Sequence, residues 1–354
     1  MADHWVPQCY LRNFEISEGS EQVYTYERGR PTFPAGIKNV AAENNRHTFV
    51  NKETGEESRE VEDMFTLLEG AAAPALQKIA QERVLRNLNG DEYGALLQFV
   101  AFLATRGPTF EQISRNFYKE AFKLEMETRA QHPEILRKDF EKAGVTFGSE
   151  EEFEEARKSL LDLDKLNFQI TGGKGHFFKH AAETAMDITD IFLKEKGLFL
   201  LVSRDSRVFI TSDNPVLLQV PPDVPYHLAG GYKYGTILLT ISPQVCLIFR
   251  SRPLKKEIVE VDAPQVDYIN NSIMKSAKRQ IYSNLSSKGI KQRYDLTTSG
   301  EDSKVTSHKM RHTPYVFTQG PTKDKELPVI DRYSMRWEEI EAEIERNMAK
   351  QGTE

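Results

Sequence analysis

A helical middle, a strand-rich section and polar ends follow one another along the chain, as the spacing of its apolar residues indicates. Between Val61 and Ile79, apolar residues recur at intervals of three and four, which predicts a helix with one face toward the core. Asp91 is expected to cap a second helix, which is apolar nearly all round up to Leu103 and should be the most buried one. Similar periodicity extends the predicted helical part over about 60–196.

From Gly197 onward, the pattern changes to short, β-branched apolar runs that are typical of strands. The runs 198–202 and 207–211 are separated by a polar turn, which predicts a hairpin. Further strands are predicted at 216–220, 236–241, 245–249 and 258–261. A β-rich part over about 197–262 is therefore expected, followed by a closing helix over about 264–283.

Runs of helices followed by runs of strands predict an α+β fold, in which a mainly helical middle packs with an antiparallel β-rich section in one large domain. That domain is expected over residues 1–290. Residues 291–330 carry few aliphatic side chains and are predicted to be a loosely ordered polar segment. Apolar residues at helical spacing within 331–354 predict a C-terminal amphipathic helix, docked on the body or on a partner.

Composition excludes several classes of protein. The chain has 354 residues, 39% of them hydrophobic, which is enough for a sizeable core. It has no apolar run near the ~18 residues that a spanning helix needs and no segment that resembles a secretion signal, so we expect a soluble, cytoplasmic protein without membrane association. Its two cysteines, Cys9 and Cys246, cannot form a disulfide framework. With 47 basic and 53 acidic residues, the chain lacks a global basic surface for nucleic acid. The sequence does not determine its oligomeric state.

Polar residues next to the predicted core are the candidates for chemistry, because burying them unpaired is costly. Asp213 and Asn214 directly follow a predicted strand, where they are suited to ligate a metal ion or to orient a catalytic histidine. The structural alternative is an Asx turn in which Asp213 accepts backbone N–H groups. His4, beside Trp5, is suited to act as an acid, a base or a metal ligand, or else is a packed ring.

Charged residues on the predicted helices supply further candidates. Glu62 and Glu69 share one helical face about 10 Å apart, too far to chelate one ion together. Glu69 is expected to meet Arg106, either in a catalytic pocket or in a buried pair that joins two helices. A row at helical spacing, typical either of a metal site or of an ordinary amphipathic helix, consists of His176, His180, Glu183 and Asp187.

Two segments resemble the signature of a known family. Residues 4–14 (HWVPQCYLRNF) and 210–216 (ITSDNPV) are similar to the two signature segments of the family called domain of unknown function 4238. Supporting positions are Glu69, Ala71-Ala72, Arg106, Ser242-Pro243 and the helix from Asn270 to Tyr282. The resemblance covers roughly 4–285, implies a single α+β domain, and marks His4, Asp213 and Asn214 as signature positions. It implies no established reaction.

These residues favour a metal-assisted hydrolase that acts on phosphoester bonds, of the nuclease or phosphoesterase type. The predicted catalytic residues are His4, Glu69, Arg106, Asp213 and Asn214. A divalent metal ion held by His4 and Asp213 would activate water, and Arg106 would stabilise the developing anion on a small-molecule or nucleic-acid phosphoester. The alternative is a non-catalytic binding or regulatory module, in which the same polar residues form a structural network. The hydrolase hypothesis requires the N-terminal turn to lie beside the loop after Thr211.

Overall fold

The structure is a computed structural model and describes most of the first 297 residues of the chain. The described ranges are 2–50, 57–163, 174–219, 231–251 and 256–297. Most of the predicted polar segment 291–330 and the whole predicted C-terminal helix 331–354 lie outside these ranges. The described part of the polar segment, 291–297, belongs mostly to a helix (Lys288–Leu296) that the sequence did not predict.

Helices form much of the described chain up to residue 195. Within the described ranges they are α1 (Gln8–Leu11), α2 (Glu60–Glu82), α3 (Gly90–Thr105), α4 (Pro108–Ala130), α5 (Pro133–Lys142), α6 (Glu150–Leu160), α7 (Lys174–Glu195), α8 (Gly231–Tyr234), α9 (Ala263–Ser276) and α10 (Lys288–Leu296). Two short 3-10 turns, Arg12–Phe14 and Ile37–Asn39, accompany them. None of these helices has an apolar stretch of the length that a membrane crossing requires.

Strands build two larger sheets and two small ribbons. In the same described ranges the strands are β1 (Ala2–His4), β2 (Gln22–Glu27), β3 (Phe33–Gly36), β4 (Ala42–Asn44), β5 (Phe49–Val50), β6 (Glu57–Ser58), β7 (Gly197–Ser203), β8 (Thr211–Ser212), β9 (Leu217–Gln219), β10 (Thr236–Ser242), β11 (Val245–Arg250), β12 (Ile258–Val261) and β13 (Gln280–Ser283). One sheet has the order β12-β7-β11-β10-β9 and the other β3-β2-β13-β8, while β1 pairs with β4 and β5 with β6. Among these strand pairs only β12 with β7 is parallel, so the α+β fold is confirmed.

The two helices that later position the site form where the apolar periodicity predicts them. The helix α2 continues through Pro74 and ends at Glu82, followed by the capping residue Arg83, whose φ of 57° lies in the left-handed region. The helix α3 begins after Asn89, whose side chain accepts the N–H of Glu92 while the Glu92 carboxylate accepts the N–H of Asn89. This capping box replaces the predicted cap, and Asp91 lies inside the first turn.

Two predictions in the β-rich part were wrong. The apolar runs 198–202 and 207–211 do not pair as a hairpin, because β7 lies between β11 and β12 whereas Thr211 pairs with β13 in the other sheet. The closing helix ends at Ser276 instead of Tyr282. Residues 280–283 form β13, which fills the place between β2 and β8, so tertiary pairing overrides the local helical pattern.

The described chain groups into two compact units, and the single domain predicted over 1–290 stays a prediction. The first unit takes residues 1–107 together with the described residues from 182 onward, and the second takes 108–181. The first unit contains both larger sheets and a core in which sheet residues such as Ile248 pack with residues of α9 such as Ile273. The second has a small core of its own, formed by Ala130, Leu136 and Phe153. All predicted catalytic residues belong to the first unit.

Gly235 marks a tight approach between α8 and the strands beside it. A Cβ atom built at Gly235 would lie 2.6 Å from the carbonyl oxygen of Gly231, 2.7 Å from Leu218 Cδ1 and 2.9 Å from the carbonyl oxygen of Gln219. Two of these atoms are backbone and cannot move alone, so we expect Gly235→Ala to lower the free energy of unfolding by about 1–3 kcal/mol. Urea denaturation measures the difference.

Gly94, in the interior of α3, provides the matched control for this substitution. A Cβ atom at Gly94 meets nothing within 4 Å. Because alanine restricts the unfolded chain and favours the helix, we expect Gly94→Ala to raise stability by about 0.5–1 kcal/mol. Equal effects of the two substitutions would contradict the close approach at Gly235.

Candidate functional site

The N-terminal turn lies beside the loop that follows Thr211, as the hydrolase hypothesis requires. Tyr10 donates a hydrogen bond to the carbonyl oxygen of Thr240 at 2.7 Å, and its hydroxyl lies 2.6 Å from the hydroxyl of Thr211. Trp5 donates its indole N–H to the carbonyl oxygen of Asp213 at 2.9 Å. Two distant signature segments of the sequence are therefore in direct contact.

The carboxylate of Asp213 is engaged by the backbone that joins α9 to β13. Its oxygens accept the N–H groups of Lys278, Arg279 and Gln280 at 2.9, 2.8 and 3.0 Å. The side chain is buried, and this burial raises its pKa above 3.8 more than the three amide bonds lower it. Asp213 thus closes a loop, and the catalytic and metal-binding roles predicted for it stay predictions.

Asn214 also bonds to the end of α9. Its side-chain amide donates to the carbonyl oxygen of Ser276 at 3.1 Å and to the Ser276 hydroxyl at 2.8 Å. Its backbone N–H bonds to the hydroxyl of Ser212 at 3.1 Å, which is the local turn expected before proline. The two middle residues of the SDNP segment (212–215), Asp213 and Asn214, therefore connect the loop after β8 to the C-terminal end of α9 and the turn that follows it.

Arg106 is a deeply buried charged group near the N-terminal turn. It caps the C-terminal end of α3 and is 1% exposed. Its Nε donates to the carbonyl oxygen of Trp5 at 2.9 Å, and its Nη1 donates to Glu69 at 2.8 Å. The guanidinium carbon lies 4.8 Å from the ring centre of Phe65, and among the described residues Nη2 has no hydrogen-bond partner. Arg106 thus joins α2, α3 and the N-terminal turn.

One face of α2 presents two carboxylates, each held by a buried partner. Glu62, Phe65 and Glu69 follow at spacings of three and four, so they share that face. His47 Nδ1 lies 2.5 Å from an oxygen of Glu62, while Arg106 holds one oxygen of Glu69. The side chains of Glu62 and Glu69 remain 28% and 26% exposed. Within the described part of the chain, no hydrogen bond or ion pair engages the second oxygen of either carboxylate.

His4 lies near both carboxylates, and a hydrogen bond to a backbone carbonyl sets the tautomer of its ring. Its Nε2 is 3.1 Å from the carbonyl oxygen of Lys38, and because a carbonyl only accepts, Nε2 carries the proton. In the neutral ring Nδ1 then keeps its lone pair. Burial lowers the pKa of His4 below 6.5, more than the Lys38 bond and the charges of Glu62 and Glu69 raise it. We call His4, Glu62, Glu69 and Arg106 the α2 site.

A second layer of polar residues supports the Glu62 end of the α2 site. His47 is fully buried, with its ring centre 4.9 Å from that of Phe65. Its backbone N–H donates to Asp3 at 2.8 Å, and Arg59 donates to the other oxygen of Asp3 at 3.3 Å. The hydrogen bond from His47 lowers the pKa of Glu62 below 4.5, so that carboxylate stays ionised at neutral pH.

The remaining sequence candidates contribute less to this region. Burial raises the pKa of Cys9, beside Glu69, to about 11, so its thiol is protonated at neutral pH. In the second unit, His180 stacks on Phe110 at 5.8 Å and lies 5.4 Å from Tyr118, as expected of packed rings. His176 and His180 belong to no group of three metal-capable side chains that the described residues form.

Sequence reasoning found His4, Glu69 and Arg106 and missed the partners that hold Glu62. Asp3 and His47 are 44 residues apart, and His47 follows an irregular polar stretch that predicts no structure. One available signal is that His4 and His47 are the two histidines of the first 131 residues. The proximity of Asp3 to His47 depends on the pairing of β1 with β4, where Asp3 lies opposite Glu43.

Comparison with known proteins identifies the family. The family described as "Protein of unknown function (DUF4238)" matches residues 3–287. No curated protein and no solved structure matches the chain. The matched region contains the α2 site and the SDNP segment and covers most of the chain. The chain therefore belongs to the DUF4238 family, whose function is unknown.

Proposed function

We propose that the protein is a metal-assisted hydrolase that cleaves phosphoester bonds at the α2 site. The observation that carries this proposal is that three partly exposed groups, His4, Glu62 and Glu69, lie close to the buried Arg106. His4 offers the lone pair of Nδ1, and the negative charges of Glu62 and Glu69 lie close enough to raise the basicity of its ring. Each of these two carboxylates keeps one oxygen without a hydrogen bond in the described part of the chain. A base and acidic metal ligands that face solvent are what hydrolysis requires.

The charges of the α2 site are the reason why a metal ion belongs to the proposal. Glu62 and Glu69 would repel a phosphate ester, and the positive charge of Arg106 is largely matched by Glu69. Glu62 and Glu69 would attract a divalent ion to this face, and such an ion would offset their negative charge and supply Lewis-acid activation of water. A small-molecule or nucleic-acid phosphoester is then attracted to a face that would otherwise exclude it.

His4 is the proposed general base of the reaction. Its Nδ1 accepts a proton from the attacking water, the water oxygen bonds to phosphorus, and the ester P–O bond breaks. The leaving alkoxide takes a proton from solvent. Arg106 is too deeply buried to touch a substrate, so we assign it a positioning role: it holds Glu69 and adds positive charge beneath the developing anion.

Alanine at His4 tests the proposed base. We expect His4→Ala to reduce hydrolysis of bis(4-nitrophenyl) phosphate, measured with Mn²⁺ or Mg²⁺, by about 100-fold or more. His132→Ala removes an exposed histidine of the second unit and serves as the matched control. Equal rates for wild type and His4→Ala, or equal losses in the two variants, would rule out His4 as the base.

The second candidate function is a non-catalytic binding or regulatory module, and a specific observation favours it. The bonds that this hypothesis requires are present: His4 bonds to a backbone carbonyl, Asp213 closes a loop, and Glu69 pairs with Arg106 between two helices. Under this hypothesis metal ions leave the melting temperature of the wild type unchanged, and His4→Ala lowers it. Under the hydrolase proposal, the ion raises the melting temperature and His4→Ala changes it little.

A further inference from the structure

We propose that Asp3, His47 and Glu62 form a divalent metal centre at the Glu62 end of the α2 site. Each residue offers one ligand atom, and these atoms lie within 4.8 Å of one another. The described residues contain no other such group of three. This inference deepens the proposed hydrolase function by naming its metal ligands, although the binding of the ion can be measured independently of any reaction.

The three ligands are held in place by bonds outside the centre, as is typical of metal sites. Asp3 accepts the backbone N–H of His47 and a side-chain N–H of Arg59, which fixes the direction of its carboxylate. The His47 ring packs edge-on against Phe65. Glu62 projects from the first turns of α2, a rigid helix. Ligands held in this way lose little conformational entropy when the ion binds.

Burial distinguishes this group from ordinary acidic clusters on protein surfaces. Asp3 is 1% exposed and His47 is fully buried, so water competes poorly for their lone pairs. Glu62 is partly exposed and provides the side from which an ion and its water ligands enter. His47 Nδ1 and one oxygen of Glu62 lie 2.5 Å apart and share a hydrogen bond. An ion that takes the position between these two atoms requires the imidazole proton to lie on Nε2.

The donor set selects the class of ion. One imidazole nitrogen and two carboxylate oxygens suit Mn²⁺ or Zn²⁺ better than Mg²⁺ or Ca²⁺, which prefer oxygen ligands alone. Three protein ligands leave coordination positions open for water and substrate, which is the arrangement of catalytic metal centres. Because Glu62 belongs both to this centre and to the α2 site, an ion here lies next to the proposed base, His4.

Metal titration of the full chain tests the centre. We expect isothermal titration with MnCl₂ or ZnCl₂ to give one ion per chain, and Glu62→Gln to weaken binding at least tenfold. Asp3→Asn, which keeps one oxygen to accept the His47 N–H, is a second variant with the same expected result. Glu43→Gln is the matched control, since Glu43 lies opposite Asp3 in the β1–β4 ribbon but pairs with Arg46 outside the centre. Circular dichroism checks that each variant is folded.

The outcomes separate this inference from the proposed function. Binding of one ion per chain, with an affinity that Glu62→Gln lowers and Glu43→Gln does not, supports the centre, whether or not phosphoesters are hydrolysed. A wild type that binds neither ion, or variants that bind as the wild type does, would overturn it. Metal-dependent hydrolysis that survives Glu62→Gln would leave the proposed function in place and remove the metal centre from it.

Discussion

Replacing Asp213 by alanine is expected to lower the free energy of unfolding by about 3–5 kcal/mol. The carboxylate is the shared acceptor of three consecutive N–H groups, from Lys278 to Gln280, at the turn between α9 and β13. A buried donor that loses its acceptor costs about 1–3 kcal/mol, and here three donors lose theirs at once. Since β13 lies in the centre of the four-stranded sheet, the loss extends to its pairing with β2 and β8.

Asp205 offers a matched control for this substitution. Its carboxylate accepts a single backbone N–H, from Ala263, at 3.0 Å in an exposed position. Asp205→Ala is therefore expected to cost at most about 1 kcal/mol in the same urea denaturation experiment. An effect of Asp213→Ala no larger than that of Asp205→Ala would mean that the carboxylate does not hold the loop.

How much of the fold the sequence predicts depends on how local the controlling interactions are. The helix α2 and the strand β12 follow from apolar spacing within a few residues, and both form where predicted. The strand β13 was missed because Ser276 to Gln280 contains no glycine or proline to break the predicted helix. Strand β13 forms because it pairs with β2 on one side and β8 on the other. Both partners are distant in the sequence, so the local spacing of apolar residues does not predict this pairing.

The same distinction applies to the candidate site. The two signature segments predict that the N-terminal turn with His4 lies close to the SDNP segment. The direction of the Asp213 carboxylate, by contrast, depends on the turn before β13. A carboxylate after a strand is suited equally to an ion and to backbone N–H groups, so the residue type alone does not distinguish these uses. Asp3 and His47 join Glu62 only through the β1–β4 pairing, which no local pattern indicates.

Trp5 connects the two halves of this region. Its carbonyl oxygen accepts from Arg106 and its indole N–H donates to the Asp213 carbonyl, so one residue links α3 to the loop after β8. The bonds of Asp213 and Asn214 thereby support the position of the strand that carries His4. Under the proposed function, these two residues belong to the scaffold of the α2 site, while His4, Glu62 and Glu69 face the ligand.

Arg106→Met is expected to lower the free energy of unfolding by about 3–5 kcal/mol, an effect comparable to that of Asp213→Ala. Methionine fills similar space but leaves Glu69 without its partner and the Trp5 carbonyl without a donor. Guanidinium denaturation of Arg106→Met, Glu69→Gln and the double variant measures the pair directly. We expect a coupling energy of about 1–3 kcal/mol, because the two side chains are in contact and one is fully buried.

The exposed pair of Arg12 and Glu21 is the control for this double-mutant cycle. The nitrogen and oxygen of the pair lie 2.9 Å apart, much as in the buried pair, but both side chains are about half exposed. Water screens such a pair, so we expect a coupling energy of at most about 1 kcal/mol. If the two cycles gave the same coupling, burial of Arg106 would contribute nothing to its bond with Glu69. The guanidinium would then not be the group that holds the α2 carboxylate in position.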